Sequence, residues 1–91
     1  MDGLDRLRME IDRIDRDLVA LFEERMDRVR EVGQYKRNHG RPILDASREE
    51  EVLRRVKGYL KDKDLEEDLV QFFSKLMEIS RGVQEREIPN N

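Results

Sequence analysis

The chain has no cysteine, a single histidine, two prolines and few aromatic residues. Each scarcity excludes something. Without thiols there is neither a disulfide scaffold nor a thiolate metal site. One imidazole, His39, cannot build a zinc centre by itself. No apolar run is long enough to span a bilayer, and the N-terminus lacks a signal-peptide core, so a cytoplasmic protein is expected. An excess of charge of one sign is also missing. The 19 Lys and Arg are set against 22 Asp and Glu for a net charge of -3, and they are dispersed along the chain. A nucleic-acid reader would segregate them, so none is expected here. There is no glycine-rich phosphate loop and no serine–histidine motif.

What is abundant is charge, at 45% of residues against 36% apolar. With 91 residues there is room for one domain, taken as 1–91. Chains of this size bury only about two-thirds of their unfolded surface, so a lean core calls for oligomerisation as a supplement.

Proline is absent from residues 4–37, and Gly33 is the one glycine there. Leu4, Leu7, Ile11, Ile14, Leu18, Leu21, Phe22, Val29 and Val32 recur at spacings of three and four, which predicts one helix over about 4–37. Such a helix is roughly 50 Å long, whereas a compact domain of this length has a radius of gyration of about 12 Å. It cannot be wrapped by its own chain, and a second copy is the simplest cover. Gly40 and Pro42 in "NHGRPILDAS" break the helix. Ser47 and Glu50 have the form of a capping box that starts a short helix over 48–61. A polar turn, "KDKDLEED", leads to a third helix over about 66–87, and Pro89 with the two asparagines reads as a frayed tail. The fold class is all-α, with helices long, short and medium, intertwined in a homodimer.

Several polar residues interrupt these apolar faces. Stepping by sevens from Leu4 gives Leu4, Ile11, Leu18, Arg25 and Val32, a column apolar except at Arg25. A guanidinium on a buried stripe asks for a compensating anion. Lys36 follows 11 residues later, three turns on and on the same face. Ser80 and Gln84, an i, i+4 pair, continue the stripe of the third helix. Asp45, Arg48 and Glu49 cluster at the start of the short helix, and Arg8 flanks the seam near the N-terminus. Singly, each has a mundane reading: a register device, a solvated charge, a cap, a small residue at a close contact. Together they come from all three helices and one loop. Such a pocket has excess positive charge but no strong nucleophile or base, which suits holding a multiply carboxylated anion and stabilising charge on an oxygen.

The segments "LRMEIDRID", "LFEERMDRVREVGQYK", "RPILDASREEEVLRRV" and "LMEISRGVQ", in this order and spacing, resemble the all-helical chorismate mutases of the small bacterial intertwined-dimer type. The match runs from about Leu4 to Glu87. The resemblance implies a homodimer with two identical pockets, each completed by an arginine from the other chain. It implies no cofactor, and chorismate, a dianion, as substrate, rearranged to prephenate without a covalent intermediate. By position, Arg25 and the partner's Arg8 would bind the two carboxylates, and Lys36 and Gln84 would donate to the ether oxygen. Glu49 would accept from the ring hydroxyl, supported by Asp45 and Arg48, and Ser80 would donate to a carboxylate. Isochorismate pyruvate lyase shares the fold, but the pair Asp45 and Glu49 favours the mutase. A non-catalytic helical dimerisation or regulatory module is the alternative from another class, and docking to another enzyme of the aromatic pathway is compatible with catalysis.

Overall fold

The structure, a computed structural model, describes residues 2–86. Glu87, where the third helix was expected to end, and the expected tail at Pro89, Asn90 and Asn91 lie outside the described residues. The described chain is all-helical and has no strand. Helix α1 spans Gly3–Asn38, α2 Ala46–Tyr59 and α3 Glu66–Arg86, with a 3₁₀ turn at Lys63–Leu65 leading into α3. This is the long, short, medium order expected from the apolar periodicity.

Local chemistry sets the ends of these helices. Asp2 caps α1: its carboxylate accepts the Asp5 N–H at 2.9 Å, and the Asp5 carboxylate accepts the Asp2 N–H at 3.4 Å. The two orphan amides of the first turn are thereby satisfied reciprocally. At the other end Gly40 adopts a positive φ of 64°. Its N–H reaches the Arg37 carbonyl at 3.3 Å, and the Arg41 N–H reaches the Lys36 carbonyl at 2.8 Å. This is the Schellman arrangement, and it fixes the last turn of α1.

The start of α2 departs from the expected capping box. Asp45 rather than Ser47 is the N-cap, with its Oδ1 accepting the Arg48 N–H at 3.0 Å. Asp and Ser cap about equally well. Asp45 comes first in the chain and adds a negative charge at the positive end of the helix dipole, so α2 starts two residues before the expected position. Ser47 is thereby left inside the first turn, where it cannot cap.

Helix α3 packs on both other helices, whereas α1 and α2 make no close backbone approach to each other. A cleft is therefore left where the C-terminal half of α1 and the start of α2 both lean on α3. Met26, Met77 and Val83 form the buried apolar core, and Ser80 and Gln84 are buried with them. The rest of the α1 stripe is uncovered: Leu4, Leu7, Ile11, Ile14, Leu18, Leu21 and Phe22 are 44 to 61% exposed. The molecule measures 56 × 28 × 15 Å with a radius of gyration of 16.7 Å, well above the value of about 12 Å for a compact chain of this length. Among the described residues no helix is long and apolar enough to cross a membrane.

Replacing Gly40 by Ala places a Cβ at a positive φ, at a cost of roughly 1–2 kcal/mol. Chemical denaturation of Gly40→Ala is expected to show a lower midpoint with an unchanged slope.

Candidate active site

The cleft is lined by Arg25, Val29, Val32 and Lys36 from α1, Ile43 and Asp45 from the loop, Arg48, Glu49 and Val52 from α2, and Met77 and Ser80 from α3. Its volume is about 170 Å³. That is smaller than a closed small-molecule pocket of several hundred Å³. Valines, Ile43 and Met77 supply an apolar wall, and the polar groups converge on it.

Of the eight residues singled out in the sequence, six line this cleft: Arg25, Lys36, Asp45, Arg48, Glu49 and Ser80. Gln84 joins them through Lys36, whose Nζ donates to Gln84 Oε1 at 3.3 Å and to the Ile43 carbonyl at 2.6 Å. An ammonium only donates, so the amide must present its oxygen to Lys36. The NH₂ end of Gln84 and one N–H of Lys36 are left over as donors. Gln84 comes this close because Gly33 has no side chain. A Cβ at Gly33 would lie 3.2 Å from Cα, Cβ and Cγ of Gln84.

Arg25 Nη1 donates to Ser80 Oγ at 2.7 Å, and Ser80 donates its own proton to the Leu76 carbonyl at 2.7 Å. The reading of Ser80 as a donor to a ligand thus meets a hydroxyl whose proton is already directed along its own helix, one turn back. Arg25 is half-buried, and its pKa is lowered by burial first and then by the charge of Arg48. Its ordinary value lies so far above neutrality that the guanidinium stays charged. Two like charges face one cleft, and an arriving anion relieves both.

The acids of the cleft do not neutralise these cations. Asp45 caps α2. Glu49 turns to Arg81, whose Nη1 lies 2.6 Å from Oε1 and 2.5 Å from Oε2. The hydrogen bond to Glu49 raises the Arg81 pKa, and the charges of Glu49, Glu78 and Glu85 add to it, against a smaller opposing effect of burial. Arg48 is drawn along its own helix to Glu51 at 2.5 Å.

Arg8 stands apart. It is exposed on α1, 17 residues before Arg25 and so roughly 25 Å away along one rigid helix. It does not line the cleft of its own chain. Two contributors went unseen in the sequence. The Ile43 carbonyl has no side-chain signature at all. Arg81 looks like one more surface charge, because its partner is 32 residues away.

The chorismate mutase type II family model matches residues 7–85. This chain belongs to that family, the one its four segments resemble. A chorismate mutase of Methanocaldococcus jannaschii is 28% identical over 87 residues, covering 94% of this chain and 88% of the relative. The T-protein of Haemophilus influenzae is 37% identical over 71 residues, 78% of this chain but only 19% of its own length. A protein named 3-dehydroquinate dehydratase from Pyrobaculum aerophilum is 33% identical over 82 residues, 90% of this chain and 24% of its own length. The chain therefore spans a quarter or less of two of these relatives. A solved structure of a conserved hypothetical protein from Pyrococcus furiosus superposes with a TM-score of 0.76 at 36% identity, covering 92% of this chain and 97% of that one. Membership supports chorismate mutase activity, an isomerisation, in aromatic amino acid biosynthesis.

Gly33→Ala tests the close approach of α1 and α3. The gain in helix propensity, about 1 kcal/mol, offsets part of the crowding against Gln84, so stability should move little. The Gln84 backbone must still shift by a few tenths of an ångström. Chorismate turnover is expected to fall, and an unchanged rate would mean that the placement of Gln84 is not critical.

Proposed function

We propose that this chain, as a single domain over residues 1–91, converts chorismate to prephenate in the cytoplasm by binding the reactive conformer and stabilising charge, with no cofactor and no covalent intermediate. In this rearrangement the ether C–O bond breaks as a C–C bond forms within one molecule. No proton or leaving group is transferred, so a site poor in nucleophiles and bases is sufficient. Negative charge builds on the ether oxygen as its bond breaks. Lys36 and Gln84 donate to that oxygen from one side of the cleft. The observation that carries the reading is their pairing at 3.3 Å through the Gln84 oxygen, which leaves the Gln84 NH₂ group and one N–H of Lys36 as donors.

Arg25 takes one substrate carboxylate, assisted by the Ser80 hydroxyl after it rotates away from Leu76. Glu49 accepts from the ring hydroxyl, with Asp45 and Arg48 holding the start of α2 around it. The second carboxylate falls to Arg8 of another copy, since Arg8 cannot reach the cleft of its own chain. Antiparallel pairing of two α1 helices would bring it there and would cover the exposed stripe from Leu4 to Phe22. Site and homodimer are then one design. Two long relatives carry a matching region as a small part of their length, which is compatible with docking to another enzyme of the aromatic pathway.

Complementation tests the shared site. Arg8→Ala and Arg25→Ala, each purified alone, should be inactive towards chorismate. Refolded together in equal amounts, half of the dimers are mixed, and each mixed dimer has one intact site. Prephenate formation should return to about a quarter of the unsubstituted rate. No recovery would overturn the shared site, and activity in Arg8→Ala alone would remove Arg8 from it.

A second prediction concerns pH. An amide donates at any ordinary pH, so turnover should be nearly flat across neutrality. In Gln84→Glu the new carboxyl donates only when protonated, and the Lys36 ammonium beside it favours the ionised form. From an ordinary carboxyl value of about 4.3, turnover at pH 7 should drop on the order of 100-fold or more and recover as pH falls. A flat profile for this variant would exclude Gln84 as the donor.

A further inference from the structure

We infer that Arg81 is a positioning residue for Glu49: it holds that carboxylate from outside the cleft, so that Arg25 and Lys36 stay available to a dianion. The inference rests on the mutase reading above. Arg81 is on α3, one residue past Ser80 and three before Gln84, yet it does not line the cleft. It borders a separate hollow on the far side of Glu49, formed with Leu44, Ala46, Leu53 and Met77. Glu49 and Met77 border both spaces, so Glu49 stands in the wall between them.

From that outer side one nitrogen of Arg81, Nη1, reaches both carboxylate oxygens, at 2.6 and 2.5 Å. A carboxylate has about four lone-pair sites, and this arrangement occupies one on each oxygen. An acceptor is left for a ligand hydroxyl. Without the tether, an acid at the rim of a cleft with three cations would swing onto one of them. An internal ion pair would then have to break before a substrate carboxylate could bind. The side chains of Arg81 and Glu49 are 32% and 26% exposed. A pair that accessible contributes little to stability, so its loss should register in substrate binding and not in folding.

The test compares the full chain with Arg81→Gln, Arg81→Lys, Glu49→Gln and the double variant Arg81→Gln/Glu49→Gln, in chorismate kinetics and thermal melting. Arg81→Gln should raise KM roughly 10- to 100-fold with its melting midpoint unmoved. Arg81→Lys should recover part of the loss, and the double variant should be no worse than Glu49→Gln alone. A structural role would instead lower kcat in step with a falling melting midpoint, leave KM unchanged, or make the two losses additive. Any of these overturns the inference while the mutase reading stands. If the unsubstituted chain forms no prephenate, the mutase reading fails and the inference falls with it.

Discussion

The approach of α3 to α1 at Gly33 is the contact on which the site depends. With any side chain at that position, the backbone of Gln84 would have to retreat. Lys36 would then have to bridge a wider gap or give up the bond to the amide oxygen. That bond fixes which end of Gln84 faces Lys36, and hence which end is free to donate. The glycine lowers the helix propensity of α1, a loss that close packing offsets. One missing methyl group thereby links the geometry of two helices to the orientation of the Gln84 amide.

The second constraint is electrostatic. Three cations share a cleft with two acids, and each acid is engaged in other work: Asp45 starts a helix, and Glu49 is drawn outwards by Arg81. Residues 45–49 also form the beginning of α2, whose dipole directs its positive end here. The result is a cleft in which Arg25 is charged beside the like charge of Arg48 and half-removed from water. Folding holds these charges together at some cost, which an anion of matching shape relieves. In the catalytic reading, that preorganisation is what stabilises charge on the ether oxygen.

Much of this was legible in the sequence because it followed from helical geometry. The seven-residue column led to Arg25, and the three-turn spacing put Lys36 on the same face. Their separation from Arg8 showed that one chain could not bring all three cations together. The break at Gly40 and Pro42 and the start of α3 near Glu66 followed from local turn and cap chemistry. Where two capping residues stood close together the choice was not legible: Asp45 prevailed over Ser47, and α2 began early. Contacts between distant segments were illegible for a different reason. Arg81 meets Glu49 across 32 residues, and no periodicity encodes that meeting. The resemblance supplied the roles that geometry alone left open.

Two groups in the cleft are oriented by main-chain oxygens: Lys36 by the carbonyl of Ile43, and Ser80 by that of Leu76. Substitution of a side chain does not delete a carbonyl. Positions 43 and 76 can therefore drift among residues of suitable bulk while the groups they aim keep their direction. What is inherited there is the path of the backbone, not the letter at the position. Comparing residues column by column would pass over both positions, although each supplies the acceptor that orients a side chain of the cleft.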